Sequence, residues 1–186
     1  MYFVDGSNLL IELFRELSIG LRAEKPPSSA IRLSKGIFDY GVGLRSGDFR
    51  VRSFWFASFK GNEETRKAYA SALRENGYEP RLFPRRGNRE KGVDIDLTRE
   101  MLVNAFSRNF DRGVLVAGDE DYVSLVNEVK RYGPRIEGAF FRHGFANELR
   151  LSLDAVGYIE TALELPQLQG LIQDLNDDAL AQAKDG

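Results

Sequence analysis

Acidic residues end two apolar runs that lie far apart in this chain. Tyr2-Phe3-Val4 runs into Asp5-Gly6-Ser7-Asn8, and Val114-Leu115-Val116-Ala117 runs into Gly118-Asp119-Glu120-Asp121. A third acidic pair, Asp94 and Asp96, opens a segment with helical apolar spacing. Two strands that deliver carboxylates to one edge of a sheet make a cradle for a hard cation. Two unit charges about 5 Å apart, at an effective dielectric near 20, repel by roughly 3 kcal/mol. Several acids in one pocket therefore need protons or divalent cations to neutralise them. Mg²⁺ takes one or two carboxylates together with waters and phosphate oxygens, a setting suited to phosphodiester hydrolysis. Each acid also has a plainer reading. Asp5 and Asp119 stand where a helix cap is wanted, and Asp121 is a first-turn acid.

Composition narrows the chemistry. Cysteine is absent and His143 is the one histidine, so thiolate metal sites, disulfides and cysteine nucleophiles are excluded. A metal here must be oxygen-ligated, which favours Mg²⁺, Mn²⁺ or Ca²⁺. The net charge of -2 gives no global attraction for a polyanion. Nucleic acid must then be held by a bound cation or by a local basic patch. The densest such patch is Arg81, Arg85, Arg86, Arg89 and Lys91, just ahead of Asp94, with Lys60 and Arg66 as extensions. It is either a solvated surface loop or the cradle for phosphates that the acids would repel. Phe83 and Tyr122 are candidates for base stacking, with core packing the alternative. His143 lies past a strand end, as a surface polar group or a general base.

The elements that position these residues follow from apolar periodicity. Strands are predicted over 2–4, 49–56, 78–83, 113–117 and 135–141. Helices are predicted to follow Asp5, to start at Ser28 or Ser29, to run from an Asn62 cap to Asn76-Gly77, and to span 93–106 and 122–132. This alternation predicts an α/β domain whose parallel sheet is covered on both faces. Ligands bind such sheets outside the carboxyl ends of the strands, where strand order switches. Asp5 and Asp119 fall on that edge. On one helix, Asp94 and Asp96 cannot share a face, so only Asp94, nearer the loop, is expected in the site. Beyond Asn147 the expectation is a helix over 149–156, a short strand at Tyr158-Ile159, and a polar tail or helix over 166–186, leaving 1–165 as the main domain. No apolar run approaches the ~18 to 20 residues of a membrane span. Strand-like sequence starts at Tyr2 without a signal peptide, so a cytoplasmic protein is expected.

Other phosphate chemistry fits less well. Asp94-Ile95-Asp96-Leu97-Thr98 matches the D-x-D-x-T motif of haloacid-dehalogenase-type phosphatases, but no buried strand precedes it. No G-x-G-x-x-G or Walker loop follows a strand.

Three blocks carry a family resemblance: Val4-Asp5-Gly6-Ser7-Asn8, Lys91-Gly92-Val93-Asp94-Ile95-Asp96-Leu97 and Gly118-Asp119-Glu120-Asp121-Tyr122. They resemble the signature blocks of NYN domains of the LabA type, within the PIN-like nucleases. Asn147-Glu148-Leu149 with Asp154 resembles the family's closing segment, so the likeness covers roughly residues 1–160. The resemblance implies a Rossmann-like three-layer sandwich with a mostly parallel central sheet of about five to six strands. It implies a Mg²⁺- or Mn²⁺-dependent endoribonuclease acting on single-stranded RNA. Asp5, Asp94, Asp119 and Asp121 would be the metal set. Asn8 would orient water, substrate or a carboxylate, and Lys91 would lie beside the scissile phosphate. The same fold could instead serve as a non-catalytic module that binds RNA or a protein. A homodimer is left open.

Overall fold

The computed structural model describes residues 1–20, 26–41, 51–85 and 92–184. The apolar run at the start of the chain forms β1 (Tyr2–Asp5), buried at every position. A strand covered on both faces has no polar side to show, which is why this run is continuous rather than alternating. The other strands are β2 (Ser53–Phe59), β3 (Glu79–Pro84), β4 (Arg112–Val116), β5 (Arg135–Phe140) and β6 (Ala155–Tyr158). Among the described residues they form one sheet in the order β3-β2-β1-β4-β5-β6, with every pairing parallel.

Helices cover both faces: α1 (Gly6–Glu16), α2 (Ser28–Gly36), α3 (Glu63–Glu75), α4 (Val93–Phe106), α5 (Val123–Lys130), α6 (Asn147–Ser152), α7 (Ile159–Leu163) and α8 (Pro166–Lys184). The result is the three-layer α/β sandwich expected from the alternation of elements. The core is aromatic at its centre. Phe3, Phe54, Trp55 and Phe56 are fully buried, and the Phe3 and Phe54 rings stack at 5.6 Å. Trp55 Nε1 donates to the Tyr69 hydroxyl at 3.0 Å, so the one buried indole N–H is satisfied. Gly6 lets α1 begin hard against this tryptophan. A Cβ at Gly6 would lie 2.1 Å from Trp55 Nε1.

Register fixes where the first acid lies. Val4 pairs with Trp55 on one side and Val116 on the other, so Asp5 stands just past the last paired residue of β4.

The chain departs from expectation after Asn147. In place of a helix over 149–156, α6 stops at Ser152 and β6 pairs with β5. Ile159 opens α7 instead of ending a strand. Asp154 explains the turn. Its Oδ2 accepts from Ile136 N at 2.7 Å, its own N–H donates to Ile136 O at 2.8 Å, and Lys130 Nζ lies 2.8 Å from its Oδ1. These bonds dock the segment on β5 and force it to run extended. The expected helix over 122–132 also begins with a tighter turn, Glu120–Tyr122, before α5. Pro166–Lys184 is a single helix against α2, with Leu168 and Leu175 fully buried and Ser29 Oγ donating to Asp178 Oδ2. Among the described residues, no helix is long and apolar enough to cross a membrane.

Candidate acidic cleft at the switch point of the sheet

β1 and β4 are neighbours, yet the chain leaves them in opposite directions. After β1 it builds outward to β2 and β3; after β4 it builds to β5 and β6. Such a reversal opens a crevice at the carboxyl ends of the two strands. A cleft of about 240 Å³ lies there, lined by Asp5, Asn8, Ile11, Val93, Asp94, Asp119, Asp121 and Tyr122. Four acids from three distant segments thus face one space.

Asp5 is both cap and cleft residue. It is 9% exposed; its Oδ1 accepts from Asn8 N at 3.0 Å, and its Oδ2 accepts from the Tyr122 hydroxyl at 2.9 Å. Asn8 turns its side chain to the neighbouring strand end. Its Oδ1 accepts from Gly118 N at 3.0 Å, while Gly118 O accepts from Ala146 N at 2.8 Å. The segment that leads into Asp119 is therefore fastened on both sides. Asp119 Oδ1 accepts from Asp121 N at 3.0 Å, and both acids are exposed.

Asp94 is exposed in the first turn of α4, where the helix N-terminus favours negative charge. Gly92 caps that helix in the left-handed region at φ 103°, and a Cβ there would lie 3.2 Å from the Phe83 ring. Phe83 thus packs against the start of α4. Asp96 points elsewhere: it pairs with Arg99 and lies 4.0 Å from Arg81 Nε.

Tyr122 is 3% exposed, so its ring offers no face for a base to stack on. Burial first, then the charge and hydrogen bond of Asp5, then the charges of Asp94 and Asp119, push its hydroxyl well above the ordinary tyrosine value. The phenol stays protonated and can only donate to Asp5. The sequence reading missed this role. Its one signal is a tyrosine at a helix-start position otherwise filled by apolar groups, since a buried hydroxyl needs a partner. Ile11, 46% exposed on the rim, was missed as well.

The basic run divides. Arg81 does not line the cleft: its guanidinium donates to Glu100 Oε2 at 3.0 Å and lies 5.8 Å above the Phe54 ring. Arg85 follows β3, exposed, with its backbone N–H bonded to Phe59 O at 2.8 Å. Arg86, Arg89 and Lys91 lie outside the described residues. Arg66 forms a fork with Glu63 at 2.6 and 2.7 Å on the surface of α3. His143 Nε2 sits 2.7 Å from Glu12 Oε2, bridging to α1 away from the cleft lining.

The cleft fits a hard divalent cation by donor type, since its charged groups are all carboxylates. It is not a closed cage. Among the described residues, no three acids or histidines are gathered into a ready-made coordination group. Such an arrangement suits a cation that takes one or two carboxylates and completes its shell with water and phosphate oxygens.

The NYN domain family model matches residues 1–160. The chain belongs to the NYN domain family. NYN domains are part of the PIN-like nuclease superfamily, and a solved structure agrees on the architecture. A protein of unknown function from Vibrio parahaemolyticus superposes with a TM-score of 0.61 at 17% identity, over 87% of this chain and 92% of that one. That likeness shows the fold. No curated protein matches the sequence. In this NYN domain, then, the three blocks that carry the family likeness contribute Asp5, Asp94, Asp119 and Asp121 to a single cleft.

Proposed function

We propose that this NYN domain is a metal-dependent ribonuclease that hydrolyses phosphodiester bonds in the acidic cleft. One observation carries the reading: four carboxylates from three segments converge at the switch point of the sheet.

Asp5, Asp94 and Asp119 would hold one or two Mg²⁺ or Mn²⁺ ions, with Asp121 completing the set directly or through water. The cation supplies a water of lowered pKa and charge stabilisation on the phosphate. The chain's own residues do the rest. Asp5 is fixed by its helix and by Tyr122. Asn8 holds the strand end that presents Asp119. Asp94 projects from a helix start set by Gly92 and Phe83. Arg85, Arg86, Arg89 and Lys91 fall in sequence between β3 and α4 and would hold RNA phosphates. The buried Tyr122 ring provides no stacking platform, so the cleft reads phosphate rather than base.

Cleavage of a labelled single-stranded RNA by the purified protein, dependent on added Mn²⁺ or Mg²⁺, tests the reading. Asp94→Asn and Asp119→Asn should each slow it by about 10²–10³ while the fold persists. Unchanged cleavage in both variants, once contaminating nuclease is ruled out, sinks the mechanism. A second reading draws on the open arrangement of the acids and on Asp5, whose two oxygens are already bonded. It is an RNA-binding module without turnover. RNA retained but uncut at every Mn²⁺ concentration would favour it.

A further inference from the structure

Tyr122 stands in the cleft wall without a task in hydrolysis. It lies on the turn that follows Asp119, and its hydroxyl reaches across to the end of β1, 117 residues away in sequence. There it meets Asp5 Oδ2 at 2.9 Å, while Asp5 Oδ1 is held at 3.0 Å by the N–H of Asn8. The first oxygen is thus tied to α1 and the second to the far wall of the cleft. A carboxylate bonded through both oxygens from different elements cannot swing.

We propose that Tyr122 is a positioning residue for a divalent cation, locking the Asp5 carboxylate in one orientation and holding the Asp119 turn at fixed spacing from it. The inference rests on the cation-binding reading above and adds a residue to it. Tyr122 does not touch the cation; it acts through Asp5. Groups that hydrogen-bond a metal ligand typically change metal affinity by 10- to 100-fold when removed. Without the hydroxyl, Asp5 Oδ2 loses the bond that ties it to the Asp119 turn, and the carboxylate is less firmly held. The cation must then immobilise the carboxylate itself, at a cost in affinity.

Tyr122→Phe removes the hydroxyl and keeps the ring in its pocket. Mn²⁺ binding, followed by calorimetry or by loss of the free-ion electron paramagnetic resonance signal, should weaken about tenfold or more. The Mn²⁺ concentration for half-maximal RNA cleavage should rise by the same factor, with kcat at saturating Mn²⁺ changed far less. In an Asp5→Asn background the same substitution should add no further loss. A hydroxyl with only a structural role would lower thermal stability and leave Mn²⁺ affinity unchanged; that result overturns the proposal. Should Tyr122→Phe fail to fold, a crystal of the unaltered protein grown with Mn²⁺ decides the matter. Tyr122 still bonded to an Asp5 that contacts the ion supports the proposal, and a Tyr122 that has left Asp5 overturns it. Unaltered protein that binds Mn²⁺ but cuts no RNA sinks the ribonuclease reading alone. Unaltered protein that binds no Mn²⁺ even with RNA present sinks both.

Discussion

Asp5 and Asp94 face the same cleft from opposite circumstances. Asp5 is buried at the end of a central strand, with each oxygen bonded to a different element. Asp94 is exposed in the first turn of a helix that begins at a glycine. One acid of the cleft is thus held inside the fold, and the other is presented to solvent. Stability and activity should therefore separate at Asp94 and be entangled at Asp5.

The largest effect expected is on turnover. Several kcal/mol of charge stabilisation corresponds to about 10²–10³ in rate, so Asp94→Asn should slow metal-dependent RNA cleavage by that order. Its melting temperature should barely move. A comparable loss of stability in Asp94→Asn would break the contrast.

Asp5→Ala should show the entanglement. It removes a helix cap, worth about 1 kcal/mol, and leaves the Tyr122 hydroxyl buried without its acceptor, a further cost of about 1–3 kcal/mol. Metal-free urea unfolding should report a loss of about 2 kcal/mol or more for Asp5→Ala, against about 0.5 kcal/mol or less for Asp94→Ala. Equal losses would mean the two acids are held alike.

Gly92→Ala probes the helix start that presents Asp94. A side chain at positive φ costs about 1–3 kcal/mol, and here it also crowds Phe83. The unfolding midpoint should fall accordingly. A neutral result would show that neither the positive φ at Gly92 nor its contact with Phe83 constrains the start of α4.

Two basic residues give a narrower comparison. Arg81 is engaged with Glu100 on α4, so Arg81→Ala should leave the salt dependence of RNA binding nearly unchanged. Arg85→Ala should weaken binding and reduce the salt slope by about 1. Filter binding across a salt series distinguishes them.

The smallest effect belongs to Asp154, a fixed acid far from the cleft. Burial alone would raise its pKa, but the Lys130 hydrogen bond, the Ile136 N–H and the charges of Lys130 and Arg135 outweigh that and hold it below the usual carboxylate value. Its contribution to stability should be present above the ordinary carboxylate pKa and fade as pH falls through its lowered native value. Urea midpoints of Asp154→Asn and the unaltered protein should differ at pH 7 and converge in acid.

Much of the fold was legible because strand ends here are abrupt. An apolar run closed by an acid and a glycine marks β1 and β4 without reference to anything distant. The divergence of Asp94 and Asp96 follows from helical spacing alone. What stayed hidden depends on contacts between remote residues. Nothing local says that Asn8 accepts from Gly118, that Arg81 belongs to Glu100, or that the Tyr122 hydroxyl closes on Asp5. The last strand was expected at Tyr158-Ile159 and lies instead at Ala155–Tyr158, for the same reason. Its extended form is imposed by Asp154 docking on Ile136, a bond that periodicity does not record.

The central place of β1 has a consequence for how the protein is made. β1 is synthesised before β4, which alone completes one of its edges. At about 5–20 residues per second, the hundred-odd residues between them take roughly 5–20 s to synthesise. Through that interval β1 has an open row of backbone donors and acceptors beside an aromatic core. The strand that carries the buried acid of the cleft is therefore also where a nascent chain is most open to mispairing, and where a chaperone would find the most to hold.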